Sequence, residues 1–173
     1  MNSVLNGKTF EISNNIPKIL NIKRHIIPFS KNPHDVYYRF RNKRDIYKIF
    51  KNESLYRYMK RIGQYNRSYR LNHPDEAILN EYNRTLVLIE KKCQMVSGSV
   101  DEKIGLGHVK LLNFNKMYKN YDITYIYLLN EWYRKPKYRL EQEYYENFSN
   151  IHLLFNTDPE LKIKLKEIIY QKK

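Results

Sequence analysis

Apolar residues recur every three or four positions along most of this chain, and that spacing predicts helices. One series begins after Pro33, a second near Ser54, and a third after Pro74, where Asp75 and Glu76 occupy a first turn that favours acids. Together they predict a helical hairpin or three-helix core over about residues 33–95. The series consist of Val36, Tyr37, Phe40, Tyr47 and Phe50; Leu55, Tyr58, Ile62, Tyr65 and Tyr69; and Ile78, Tyr82, Leu86, Ile89 and Cys93.

The second half of the chain continues the helical pattern and predicts a C-terminal helical region over about residues 108–171. Its longest stripe is Leu140, Tyr144, Phe148, Ile151 and Phe155, and Asp158-Pro159 introduces a last helix. Residues 123–132 are apolar at nearly every position and fit a helix or a strand. Upstream, Phe10 and Ile12 alternate as in a short strand, and Pro17 suits the start of a helix. The predicted fold class is mainly α.

Four segments follow from these patterns. Residues 1–32 form a basic N-terminal extension, 33–95 a basic helical domain, 96–107 a glycine-containing linker, and 108–173 a helical scaffold region. Residues 1–34 contain a single acid, Glu11, which is compatible with a mitochondrial targeting segment. At 173 residues, with 42% hydrophobic and 14% aromatic residues, the chain can bury a core. No run of about 18 apolar residues predicts a membrane span.

Positive charge is concentrated in the first part of the chain. Residues 1–72 hold 16 Lys and Arg against 4 Asp and Glu, whereas residues 73–173 hold 16 against 14. Abundant Asn, Lys, Ile and Tyr suggest AT-rich coding sequence, which inflates lysine but not arginine. The arginines are therefore the better sign of a polyanionic partner. The candidate RNA- and phosphate-binding residues are Arg39, Arg41, Lys43, Arg44, Lys48, Arg57, Lys60, Arg61, Arg67 and Arg70.

Few residues suggest catalysis. The five histidines are scattered without a metal-binding spacing, and the one cysteine, Cys93, excludes a Cys-based zinc site. Glu141, Glu143 and Glu146 lie beside Arg139, as on a solvated helix face. We therefore expect no enzyme activity, no metal and no cofactor.

The basic segment Arg41-Asn-Lys43-Arg-Asp45-Ile-Tyr-Lys-Ile-Phe50 resembles the first helix of the mitochondrial form of the two-helix large-subunit ribosomal protein at the exit tunnel. Pro74-Asp75-Glu76 stands where that family begins its second helix. The resemblance covers residues 40–93 and implies a helical hairpin on ribosomal RNA. Phosphates would then face Arg41, Lys43, Arg57, Lys60 and Arg61.

A second resemblance is to the LYR-motif family, whose members are three-helix mitochondrial proteins that bind acyl carrier protein. Leu55-Tyr56-Arg57 is the tripeptide itself, and Tyr69-Arg70-Leu71-Asn72 is similar to a later motif of that family. This resemblance implies an accessory or assembly subunit of a respiratory complex with an acidic carrier protein as partner.

These observations predict a non-enzymatic, RNA-associated structural subunit, with the mitochondrial large ribosomal subunit as its place. Its partners would be ribosomal RNA and neighbouring ribosomal proteins. The LYR-type mitochondrial subunit is one alternative, and a viral or lineage-specific interaction protein is another. Chance similarity within a biased composition would also explain both resemblances.

Overall fold

A computed structural model describes residues 3–23, 25–66, 73–95 and 101–170. In this part of the chain, seven strands form one sheet in the order in which they occur in the sequence. They are β1 (His25–Pro28), β2 (Val36–Asn42), β3 (Asp45–Lys51), β4 (Glu76–Asn80), β5 (Thr85–Lys92), β6 (Asp122–Leu129) and β7 (Ile151–Phe155).

The sheet changes character at β5. Strands β1 to β5 pair antiparallel with their neighbours, whereas β5, β6 and β7 run parallel. Parallel neighbours need long crossover connections, and helices supply them here. The helices are α1 (Ser3–Ser13), α2 (Ile16–Leu20), α3 (Ser54–Arg61), α4 (Gly107–Met117), α5 (Arg139–Glu146) and α6 (Leu161–Tyr170), with 3₁₀ turns at Asp101–Leu106, Glu131–Arg134 and Pro136–Tyr138.

Helices cover both faces of the sheet and give two cores. On the front face, side chains of α3, α4 and α5, such as Met59, Phe114 and Tyr145, pack on strand residues such as Leu88 and Tyr125. On the back face, α2 and α6 pack on residues such as Ile78, Val87 and Ile126. Strands β4, β5 and β6 are therefore buried from both sides, as in other α/β proteins with covered sheets.

The prediction of a mainly α fold is wrong, because the segments read as the first and third helices are strands. Strands β4 and β5 are buried on both faces, so their apolar runs carry no alternation that separates a strand from a buried helix. In β2 and β3, Phe40 and Ile49 face the back core while Phe50 faces the front, which is a period of two. Aromatic and β-branched residues also favour strands.

Further segments correct the prediction in detail. The stripe over residues 140–155 is split between α5 and β7, and Phe10 and Ile12 belong to α1. Residues 123–132 fitted a helix or a strand by sequence, and in the structure they are strand as far as Leu129, as part of β6. Helices after Pro17 and after Asp158-Pro159 are confirmed as α2 and α6. Strands also occupy much of residues 40–93, where the ribosomal resemblance implies a helical hairpin. Of the segment interpreted as a linker, residues 96–100 lie outside the described residues, and Asp101–Leu106 forms a 3₁₀ turn between the paired strands β5 and β6.

Candidate functional site

Three charged residues meet on the front face at one end of β4 and β5. Asp75 immediately precedes β4, and Glu90 and Lys92 lie at the end of β5. Glu76 pairs with Ile89 across the two strands, and the same antiparallel register continued by one residue places Asp75 opposite Glu90. Since side chains alternate along a strand, Asp75, Glu90 and Lys92 share the front face with Leu88. We call these three residues the front cluster.

Glu90 is nearly buried and is held by three side chains. Its Oε1 lies 2.6 Å from Lys92 Nζ and 3.0 Å from Lys110 Nζ, and its Oε2 accepts a hydrogen bond of 3.3 Å from the Tyr125 hydroxyl. Burial alone would raise the pKa of Glu90, but the charges of Lys92 and Lys110 outweigh it and lower that pKa. Glu90 is therefore a fixed anion at neutral pH.

A glycine brings Lys110 to this carboxylate. A Cβ on Gly107 would lie 2.8 Å from the Tyr127 ring and 2.9 Å from the Tyr145 hydroxyl, so only glycine lets the first turn of α4 approach β6 this closely. The Gly107 N–H donates to the Tyr145 hydroxyl at 2.9 Å, and that hydroxyl donates to the Ile104 carbonyl at 2.5 Å. Lys110 follows one turn later and reaches Glu90.

The negative charge of Asp75 is compensated by fewer neighbouring groups than that of Glu90. Its Oδ2 accepts a hydrogen bond of 2.6 Å from the Lys91 backbone N–H. Burial is the largest cause that raises the pKa of Asp75 to about 6, and the charges of Glu90 and Glu11 add to it against the Lys91 N–H and Lys92. Burial and the neighbouring carboxylate therefore disfavour the ionised form of Asp75, although the two lysines Lys92 and Lys110 match the two acids in number. Such an acid, shifted by burial and by a second carboxylate, is typical of a functional site.

The next residue on each strand points to the back face and behaves differently. Glu76 and Lys91 are both buried, and Lys91 Nζ lies 3.2 Å from Glu76 Oε2. The same oxygen accepts a hydrogen bond of 2.9 Å from the Ile16 N–H, and Lys91 Nζ donates to the Glu11 carbonyl at 3.1 Å. This ion pair joins the start of α2 and the end of α1 to the strands that carry the front cluster.

The residues predicted to bind phosphate fall into separate groups. Arg39 and Arg41 are exposed on β2, and Lys43 and Arg44 form the turn to β3, with Lys43 at a φ of 53°. We call these four the basic hairpin. Lys60 and Arg61 are exposed at the end of α3. Arg67 and Arg70 lie outside the described residues.

Two of the predicted residues are engaged within the protein. Lys48 forms an ion pair with Glu81 and lies 2.5 Å from the Tyr58 hydroxyl. Arg57 pairs with Asp35 and, at 2.8 Å, with Glu53. The arginine of the Leu-Tyr-Arg tripeptide is thus held by acids of its own chain.

The basic hairpin lies at the opposite end of the sheet from the front cluster. Arg41 pairs with Ile46 at the start of β3, whereas Lys51 at its end pairs with Glu76 beside Asp75. Five residues along a strand and two strand spacings across the sheet separate them, which is about 20 Å. The structure therefore does not bring the basic hairpin to the front cluster.

Sequence reasoning missed the front cluster. Asp75 was interpreted as a first-turn helix acid, and Glu90 and Lys92 were not considered. The sequence did contain one signal. Glu90 and Lys92, two residues apart, end the apolar run that forms β5, and Asp75 precedes the apolar run that forms β4. This signal has meaning only once both runs are recognised as paired strands.

Within the described residues, no three His, Cys, Asp or Glu side chains are grouped so as to hold a metal ion, and no helix is long and apolar enough to cross a membrane. No protein-family model, curated protein or solved structure matches this chain.

Proposed function

We propose that the protein is a phosphodiesterase that cleaves nucleic acid with a divalent cation held by Asp75 and Glu90. The observation that carries the proposal is the front cluster: two carboxylates side by side, one with a raised pKa, and a lysine next to them. Oxygen ligands suit Mg²⁺, which binds through one or two carboxylates and fills its other positions with water and substrate phosphate. A pair of acids is therefore a sufficient protein contribution, and at Glu90 the cation would take the place of a lysine ammonium or of the Tyr125 hydroxyl, which occupy its two oxygens.

A divalent cation would favour the ionised form of Asp75. The pKa of this residue, about 6, reflects burial and the neighbouring charge of Glu90, and the positive charge of a cation held by these two residues would lower it. Lys92 and Lys110 lie against the Glu90 oxygen and keep it ionised. Bound there, the cation would supply Lewis acidity and activate water.

The reaction is hydrolysis of one phosphodiester bond. The oxygen of a water molecule forms a new bond to phosphorus while the bond from phosphorus to one ester oxygen breaks. The attacking water gives up a proton to solvent, and the leaving oxygen takes one, which leaves a phosphate monoester and a hydroxyl. In this step Lys92 supplies positive charge where negative charge grows on the phosphate oxygens.

Nucleic acid is the substrate class that fits the charge. The chain carries a net charge of +14, and its exposed arginines suit a polyanion. The basic hairpin, about 20 Å from the front cluster, is placed to contact the backbone of a long substrate rather than its scissile phosphate.

Cleavage assays test this proposal. Labelled RNA, single-stranded DNA and duplex DNA would be incubated with the purified protein in Mg²⁺, in Mn²⁺ and in EDTA. We expect metal-dependent cleavage of at least one substrate, abolished in Asp75→Asn and Glu90→Gln and kept in Glu143→Gln, a matched change at an exposed acid of α5. Calorimetry would show Mg²⁺ binding to the wild type and not to Asp75→Asn. Absence of both Mg²⁺ binding and cleavage in the wild type contradicts the proposal.

One observation favours a second candidate, the RNA-associated subunit expected from the sequence. The basic hairpin is exposed and stands apart from the front cluster, as a docking surface for RNA would. A mitochondrial location, a ribosomal or LYR-type role and the absence of catalysis remain predictions. Salt-dependent binding of RNA without metal-dependent cleavage would favour this candidate over the nuclease.

A further inference from the structure

The segment that follows β6 carries an aromatic and basic surface beside the front cluster. The Asn130 N–H donates to the Lys92 carbonyl at 3.2 Å. The Asn130 side chain accepts from the Gln94 N–H at 3.2 Å and donates to the Gln94 carbonyl at 2.8 Å. The chain leaving β6 is therefore joined to the chain leaving β5, next to Lys92. Trp132 lies two residues beyond Asn130, which limits their separation to about 7 Å.

Local sequence explains how this surface is built. Lys135 precedes Pro136 and takes the extended backbone that a pre-proline residue favours, with φ −62° and ψ 147°. The chain therefore passes from one 3₁₀ turn into a second, and Tyr133 and Tyr138 are buried in the front core with ring centroids 5.0 Å apart. The Trp132 indole N–H donates to the Tyr138 hydroxyl at 2.8 Å and sets the orientation of the indole ring.

Two lysines converge on the half-buried indole. Lys135 Nζ lies 3.1 Å from the centroid of the Trp132 ring, and Lys137 Nζ lies 5.3 Å from it and 4.8 Å from the Tyr138 ring. Both lysines are exposed. The neighbouring Arg134 is engaged elsewhere, since it pairs with Glu131 at 2.9 Å and lies over the Phe155 ring. We call Trp132, Lys135 and Lys137 the tryptophan platform.

We propose that the tryptophan platform binds the single-stranded part of the nucleic-acid substrate next to the scissile phosphate. An aromatic ring with flanking cations is the combination that single-strand sites use, because every base has a face to stack and every linkage a phosphate to pair. Trp132 packs against the front core, and the chain two residues before it is hydrogen-bonded to the Lys92 backbone, which ties the platform to the proposed cleavage site. The inference rests on the proposed function for its occupant, but its binding test does not require cleavage.

Charge favours a nucleic-acid strand over an apolar partner. Residues 131–139 contain four cations, Arg134, Lys135, Lys137 and Arg139, against the single acid Glu131. Lys135 and Lys137 already rest on aromatic faces, which attract them, whereas Arg139 pairs with Glu143. A phosphate could draw each ammonium outward and expose the indole to a base. An acidic protein segment could meet the charge but would not stack in the same way.

The chain's single tryptophan provides the experiment. Fluorescence of Trp132 would be followed in Asp75→Asn in EDTA, where no cleavage occurs, while an oligothymidylate of about 20 nucleotides is added. We expect saturable quenching. Lys135→Gln with Lys137→Gln should weaken binding about tenfold, whereas Lys162→Gln, an exposed lysine on α6, should leave it unchanged. Fluorescence anisotropy of a labelled oligonucleotide would follow the same titrations, and with Trp132→Leu it would test the ring itself.

Three results would overturn the inference. One is anisotropy that shows strand binding while Trp132 fluorescence stays constant. Another is weakening by Arg41→Gln and Arg44→Gln with no effect from the two platform lysines. The third is equal quenching by a polyglutamate peptide. Cleavage without quenching rejects the platform alone, while quenching without metal-dependent cleavage rejects the nuclease and keeps the binding surface.

Discussion

Acids and lysines at adjacent positions of β4 and β5 point to opposite faces of the sheet, and their surroundings differ between the two faces. On the back face, Glu76 and Lys91 form a buried ion pair that also bonds to backbone groups of α1 and α2, while the other Glu76 oxygen, Oε1, accepts no hydrogen bond from the described residues and lies 3.9 Å from Lys51 Nζ. On the front face, Asp75 lies opposite Glu90 and has a raised pKa. Glu76 therefore lies against an ammonium group, whereas burial and the charge of Glu90 disfavour the ionised form of Asp75.

This contrast separates structural charge from functional charge. A buried ion pair that is complete adds little net stability, but it fixes which elements meet. An arrangement that leaves an acid uncompensated is unfavourable for the folded state, and such local conflicts concentrate at functional sites. The back pair joins α1 and α2 to the strands, and the front cluster is where a bound cation would favour the ionised form of Asp75.

Neighbouring lysines on β5 give the sharpest test of this contrast. We expect Lys92→Gln to lower the cleavage rate by about 10³-fold, because it removes a charge that acts on the reacting phosphate, while Lys110 still pairs with Glu90 at 3.0 Å and limits the loss of stability. Lys91→Gln should lower the free energy of unfolding more, by about 3–5 kcal/mol, since it leaves the buried Glu76 with only Lys51, at 3.9 Å. Urea unfolding and cleavage rates on both variants measure the two effects. Equal loss of stability in the two would refute the division between faces.

Replacing both Glu76 and Lys91 should cost less stability than replacing only one of them. Glu76→Met alone leaves the buried Lys91 ammonium without its carboxylate and should lower the free energy of unfolding by about 3–5 kcal/mol. Glu76→Met with Lys91→Met should be less destabilised than either single variant, at about 1–3 kcal/mol, because the Ile16 N–H still loses its acceptor. A double-mutant cycle from urea unfolding measures the difference. Additive losses would show that the two side chains do not act as a pair.

On the front face, Asp75→Asn should stabilise the protein. Asp75 has a folded pKa of about 6 against an ordinary 3.8, so the folded state binds its proton more tightly. The stability of the wild type is therefore full below about pH 4 and falls as pH rises through 6. Above that pH, Asn should add about 1–2 kcal/mol, after allowance for partial exposure. Thermal unfolding of both proteins from pH 4 to 8 checks this, and a gap that shrinks with rising pH would contradict it.

The smallest effect on stability is expected at the basic hairpin. Arg41→Gln with Arg44→Gln should change the free energy of unfolding by no more than about 0.5 kcal/mol, because both side chains are exposed. If the hairpin contacts phosphates, the slope of log affinity for nucleic acid against log salt should fall by about 1.5 to 2. Titrations across a salt series measure the slope. An unchanged slope would remove the hairpin from the interface.

Local features of the fold were predictable, and non-local ones were not. Pro17 and Asp158-Pro159 mark the starts of α2 and α6, since backbone geometry and capping depend on a few adjacent residues. Strands β4 and β5 were misread because burial on both faces removes the alternation by which a strand is recognised. The helix and strand in residues 140–155 share one apolar stripe, and only their packing separates α5 from β7.

The candidate site was even less predictable from the sequence than the fold. Asp75 and Glu90 are 15 positions apart, and nothing local to either indicates the other. Their proximity follows from the β4–β5 register, which a shift of one residue would destroy by turning one strand's side chains to the other face. The arginine cluster is prominent in the sequence, but the structure divides its described members between an exposed hairpin, a helix end and an internal ion pair.

The sequence by itself determined the net positive charge, the cluster of arginines, the positions of several helix starts and the presence of enough apolar surface for a core. These properties are sums over residues or depend on a few neighbours. Only the tertiary structure decided that β4 and β5 are strands, that Asp75 meets Glu90 and Lys92, and that Glu76 and Lys91 turn away from them. Strand pairing is a contact between distant segments, and its register chooses which side chains share a face.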